Sequence, residues 1–142
     1  MIMDLDRLVD GCKYFRWDEI LYCPKWQIHV FPEKDSHYLA LLETTRALDK
    51  IREYFGSPIT ITSGYRPKKY NALIGGAFLS FHQYGMALDF VVKGHSTDEV
   101  KKELIPMLRD LNIRLEDNGD GAGWLHMDLG QPSSEKRRFF KP

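Results

Sequence analysis

The chain has 142 residues, 43% hydrophobic and 28% charged, with 20 basic side chains against 20 acidic ones. That is the size and balance of one domain able to bury a core without disulfides or an obligatory partner, so a single domain over 1–142 and a monomer are expected. A formal charge of zero gives no broad positive field for phosphates or anionic lipid, which argues against nucleic acid and membrane surfaces as partners.

The opening MIMDLDRLVDG carries acids where a secretory leader carries bases, and it lacks an apolar run of export length. No stretch approaches the roughly 18 apolar residues of a membrane-spanning helix, so cytoplasmic synthesis without a signal peptide and no membrane insertion are expected. Residues 1–38 interleave Tyr14, Phe15, Trp17, Tyr22 and Trp26 with Pro24 and Pro32, which suggests an irregular arm wrapped around the core. Cys12 and Cys23 are too few for a disulfide framework and lack CxxC spacing, so they read as ordinary, partly buried thiols.

From Leu39 to Phe55 the positions Leu41, Leu48, Ile51 and Phe55 recur at helical spacing, and Gly56 follows as a stop. Pro58 introduces the β-branched run Ile59-Thr60-Ile61-Thr62, which predicts a strand leading into Ser63-Gly64-Tyr65-Arg66-Pro67. Residues 67–81 show no period and contain Gly75-Gly76, the mark of a loop, and long loops tend to carry function. Met86 to Val92 predicts a buried strand. Ser96 with Glu99 forms a capping box opening a helix to about Leu111, kinked at Pro106. Arg114-Leu115-Glu116 and Trp124 to Leu129 predict two short strands of an antiparallel hairpin around Asp117-Asn118-Gly119-Asp120-Gly121. Residues 130–142 form a tail, in which Lys136 to Lys141 offers a basic stretch with two aromatics expected to dock back. Helices and antiparallel strands without a βαβ rhythm indicate an α+β fold, a small antiparallel sheet flanked by helices.

One residue demands chemistry. Asp89 lies in Met-Ala-Leu-Asp-Phe-Val-Val, where an ionised carboxylate costs several kcal/mol unless it is paired or metal-bound. His82 lies seven residues earlier, across Gln83-Tyr84-Gly85, close enough to fold back against it. In Trp124-Leu125-His126-Met127-Asp128, alternation puts Trp124, His126 and Asp128 on one face and the apolar residues on the other. Two imidazoles and one carboxylate, with a fourth position open to water, are the ligand count of a catalytic zinc site. On spacing alone, a turn-capping His82, a structural Asp89 and an edge-strand His126 remain an alternative.

Ser80-Phe81-His82-Gln83-Tyr84-Gly85-Met86-Ala87-Leu88-Asp89 resembles the SxHxxGxAxD element of the zinc D,D- and L,D-peptidases that cleave peptidoglycan stem peptides, the M15 group, whose fold is shared by hedgehog domains. Ser63-Gly64-Tyr65-Arg66 with Tyr70-Asn71 and Gly75-Gly76-Ala77 is similar to that group's SGYR…YN…GGA stretch, and Trp124-Leu125-His126 to its third-ligand segment. The resemblance runs from about Phe15 to Leu129. It implies that His82, Asp89 and His126 hold zinc, and that Arg66 binds a substrate carboxylate or polarised carbonyl, a task suited to the paired donors of a guanidinium. Tyr84 and Trp124 are candidates for an apolar wall of the substrate site. His29, His37 and His95 fall outside the matched elements and read as ordinary histidines.

Many members of that group carry the acid that activates water three residues before the last histidine, and here that position is Gly123. The remaining candidates for a general base are Glu116, Asp117, Asp120 and Asp128. If Ile113 and Leu115 face the core with Leu125, Met127 and Leu129, Glu116 faces the side that carries His126, which makes it the first choice. Asp120, in the glycine-rich turn, is second. Asp117 suits turn formation, and Asp128 suits orientation of the imidazole. The function implied is hydrolysis of a peptide bond in peptidoglycan stem peptides or crosslinks by metal-activated water with a carboxylate base, in an enzyme resembling phage endolysins that reaches the cell wall after phage-type release. Glycine at 123 also leaves room for an inactive zinc-containing module that binds peptidoglycan, or for a structural part of a phage particle.

Overall fold

The apolar residues near the amino terminus show no period in the sequence, yet Val9, Phe15, Trp17, Ile20, Leu21 and Cys23 are all buried in the main core. In the structure, a computed structural model describing residues 3–132, 134 and 137–142, this segment is not wholly irregular. It forms helix α1 (Trp17–Leu21) and a two-stranded ribbon of β1 (Tyr22–Cys23) and β2 (Ile28–His29). A five-residue helix is too short to reveal a 3.6-residue period. Its start is fixed by the Glu19 side chain, which accepts the Arg16 N–H at 2.8 Å.

Helix α2 (Asp35–Phe55) begins four residues before the apolar repeat and buries Leu41, Leu48 and Ile51. It stops where Gly56 turns left-handed at φ 62° and returns its N–H to the Arg52 carbonyl. Strand β3 (Ile59–Ser63) follows. The segment 67–81, expected to be loop, opens with helix α3 (Lys68–Leu73); this too is shorter than two turns, and it buries only Tyr70 and Asn71. A 3-10 turn over Phe81–Tyr84 then leads into β4 (Ala87–Val92). Between them Gly85 adopts φ 73°, and a Cβ there would lie 2.5 Å from the His37 carbonyl oxygen, so only glycine fits.

Ser96 caps α4 (Thr97–Leu104) by accepting the Glu99 N–H at 3.1 Å. At Pro106 the chain passes through a 3-10 turn, Ile105–Met107, before α5 (Leu108–Leu111), so the expected kink is a short change of helix type. Strands β5 (Arg114–Glu116) and β6 (Leu125–Asp128) form the expected antiparallel hairpin. The two tail aromatics return as β7 (Phe139–Phe140), parallel to β5. Lys136 of the basic tail lies outside the described residues. The sheet order is β3-β4-β6-β5-β7. One face carries Leu88, Phe90, Leu115, Leu125 and Met127, all fully buried, and the other carries Asp89, Arg114, His126 and Asp128, so the division follows the two-residue alternation of strands. The fold is α+β.

Candidate metal centre

Strand register lines up the polar face. Ser63 pairs with Asp89 across β3 and β4, and Asp89 pairs with His126 across β4 and β6. His82 enters from the 3-10 turn, where Ser80 Oγ accepts its N–H at 3.3 Å and its carbonyl accepts the Arg66 N–H at 3.1 Å. His82, Asp89 and His126 thus meet, each with one ligand-capable atom, all within 4.8 Å of one another.

The hydrogen-bond partners determine which ring nitrogens face the cluster. A carbonyl only accepts, so His82 Nδ1, 2.8 Å from the Gly64 oxygen, carries the proton. His82 is almost fully buried, and burial lowers its pKa more than Asp89 raises it, so the ring is neutral. Its Nε2 is therefore a lone pair aimed at Asp89 Oδ1, 3.0 Å away. His126 Nε2 lies 3.0 Å from Asp128 Oδ2 and His126 Nδ1 lies 2.7 Å from the same Asp89 Oδ1, so without a metal the ring donates from both nitrogens, and the Nδ1 proton is the one a cation would displace. With both rings neutral, two lone pairs would converge on one carboxylate oxygen, an arrangement satisfied only by a proton or a cation among them. The donor set fits a divalent metal. Gly64 makes the anchoring carbonyl possible: a Cβ at that position would lie 2.2 Å from the Ile20 carbonyl oxygen.

Asp89 is held from its other side as well. Arg66 NH2 reaches Oδ2 at 3.3 Å, while its Nε donates to Ser63 Oγ at 2.8 Å and NH1 approaches Asn71 Oδ1 at 3.5 Å. Arg66, for which the resemblance implies a substrate-binding role, is in the structure a partner of the buried carboxylate. Asp128 is buried and makes four contacts, with Arg114 Nε (2.7 Å), Arg114 NH2 (3.0 Å), the Gly130 N–H (2.9 Å) and His126 Nε2. Its oxygens are committed to orienting His126. Arg114 belongs to no motif in the sequence, and its parity with Glu116 in β5 is the one signal there that places it on this face.

Among the described residues the Glu116 carboxylate makes no hydrogen bond or ion pair. Continuing the β5–β6 register, in which Leu115 pairs with Met127, brings Glu116 opposite His126. Asp120 is exposed and lies in a turn pinned to α4 on both sides: Lys101 Nζ donates to the Gly119 carbonyl, Asp98 accepts the Gly121 N–H, and Thr97 Oγ1 donates to the Ala122 carbonyl. Asp117 accepts the Gly119 N–H within the turn. Tyr84 and Trp124 are exposed by 42% and 46%, Tyr84 standing edge-on to His37. A Cβ on Gly123 would meet nothing within 4 Å.

Burial alone would lower His126, but hydrogen bonds to Asp128 and Asp89 and their charges raise it to about 9. Burial alone would raise Asp89 and Asp128. Contacts with His126 and His82 bring Asp89 well below the usual carboxylate range, and contacts with His126 and Arg114 lower Asp128. In chelator-treated protein, His126 contributes stability that is complete below about pH 6.5 and lost as the pH rises through about 9. The carboxylates and neutral His82 contribute stability that is lost on acidification. Stability should therefore peak near pH 6.5 and fall toward pH 8.5 by up to about 1.4 kcal/mol per unit, and a divalent metal, which displaces the His126 proton, should restore it at the higher pH. Urea midpoints at the two pH values check this; equal midpoints without metal would contradict it.

No curated protein matches the chain. A sequence model described as peptidase M15, however, matches residues 13–127, a stretch that includes the whole His82, Asp89 and His126 cluster. This chain belongs to the peptidase M15 family.

Proposed function

We propose that the protein is a zinc-dependent peptidase that hydrolyses a peptide bond in peptidoglycan stem peptides or crosslinks, with His82 Nε2, Asp89 and His126 Nδ1 holding the ion. The observation that carries this reading is the convergence of two imidazole nitrogens on one buried carboxylate oxygen. When bound, zinc polarises a carbonyl and lowers the pKa of water to about 7. Glu116, which has no competing partner among the described residues, takes the proton from the attacking water and passes it to the leaving amine. Asp120 is second choice because the contacts flanking it tie its turn to α4. Arg66 turns NH1, the longest of its three contacts at 3.5 Å, toward the anionic end of the substrate, while Trp124 and Tyr84 supply apolar walls.

Digestion of purified peptidoglycan with zinc, with chelator, and with chelator followed by zinc tests this reading by mass analysis of the fragments. New amine and carboxyl termini should appear only in the zinc-containing samples, and their masses identify the bond and distinguish a carboxypeptidase from an endopeptidase. Identical fragments in the chelated sample would refute zinc dependence. Gly123 favours a second reading, a zinc-containing module that binds peptidoglycan without turnover. Its signature is co-sedimentation with the wall and no new termini in any sample.

A further inference from the structure

Arg114 lies in a fitted seat. Its guanidinium grips both oxygens of Asp128, at 2.7 and 3.0 Å, and its Cζ lies 3.8 Å above the Phe140 ring and 5.3 Å from the Phe81 ring. The seat depends on glycine at position 130, where a Cβ would come within 2.5–2.8 Å of Nε, Cζ and NH2 of Arg114. Gly130 does not have a positive φ, so its backbone does not require glycine; the guanidinium does. Phe81 directly precedes His82, and the Phe140 ring stands 6.4 Å from the His126 ring at 75°. The arginine therefore joins the turn of one proposed ligand to the strand of the other. Asp128, Gly130 and Phe140 all lie beyond residue 127, where the family match ends.

We propose that Arg114, seated by Gly130, Phe81 and Phe140, is a positioning residue that acts through Asp128 to hold His126 with Nδ1 toward the metal, making the carboxyl-terminal strand part of the metal centre. This rests on reading His126 as a ligand. The physical basis is tautomer control. A carboxylate fixed by two guanidinium donors and a backbone N–H presents Oδ2 to His126 Nε2, so that nitrogen keeps its proton and Nδ1 is the one that gives up its own to a metal. With the guanidinium displaced, the carboxylate is free to turn and the imidazole to rotate.

The test is zinc affinity, measured by competition with a chromophoric chelator, together with the visible absorption of cobalt-loaded protein. Gly130→Ala and Arg114→Met should each weaken zinc binding about 10–100-fold and alter the cobalt bands. Phe140→Tyr, which keeps the aromatic face, should remain close to wild type, whereas Phe140→Leu, which keeps apolar bulk alone, should not. Gly130→Ala deletes no functional group and presses only on the end of a flexible side chain, so it decides the matter even where Arg114→Met fails to fold. Melts of chelator-treated protein report folding separately. Wild-type affinity and cobalt spectra in Gly130→Ala and Phe140→Leu, with zinc uptake still lost in His82→Ala, would overturn this inference alone. Absence of zinc uptake by the wild-type protein would overturn the ligand reading and this inference with it.

Discussion

Asp89→Ala is expected to reduce zinc stoichiometry from one per chain to near zero and to lower peptidoglycan hydrolysis by at least about 10³-fold, because the metal supplies several kcal/mol of transition-state stabilisation and each 1.36 kcal/mol is tenfold in rate. The same change should destabilise the chelator-treated protein. Asp89 is the shared partner of His82, His126 and Arg66, and removing one member of a buried pair typically costs about 3–5 kcal/mol because the other is left uncompensated. Asp89→Asn separates the two effects: it keeps the shape, loses the charge, and should lose zinc with a smaller loss of stability. Metal analysis and urea melts of both variants give the answer. A variant that retains one zinc per chain would remove Asp89 from the ligand set.

Glu116→Gln is expected to lower kcat by about 10²–10⁴-fold, the usual contribution of a general base, while zinc stoichiometry and KM stay near their wild-type values. The expectation follows from register and availability. Glu116 shares a sheet face with His126, and its carboxylate is uncommitted among the described residues, whereas Asp128 is fully engaged by Arg114, Gly130 and His126. Asp120→Asn should leave kcat nearly unchanged. Undiminished kcat in Glu116→Gln, with loss in Asp120→Asn, would reverse the assignment and require the 117–123 turn to leave its contacts on α4.

What was legible beforehand was what short-range physics writes into a sequence. The α2 repeat with Gly56 at its end, the β-branched run of β3, the Ser96 cap and the alternation of β6 each act within a few residues, and each appears in the fold near the expected place. The helices α1 and α3 escaped because elements of five and six residues are shorter than the period that would reveal them; packing holds them more than propensity does. The cluster itself was readable as a need, since a carboxylate in an apolar strand requires partners. The spacing of His82 and the parity of His126 indicated which residues could meet that need.

By itself the sequence determined the local elements and the α+β class, because these depend on side-chain type and on periods of two and 3.6, and it singled out Asp89 as a carboxylate in need of partners, with His82 and His126 as candidates. Only the tertiary structure decided that Arg66 braces Asp89, that Phe139–Phe140 return parallel to β5, and that Asp128 and Arg114 lie behind His126. Each of these joins segments distant in the chain or on different strands, and the choice of ring nitrogen facing the cluster follows from such partners. A hydrogen bond to an imidazole is set by register and close approach in space, which no pattern along one strand encodes.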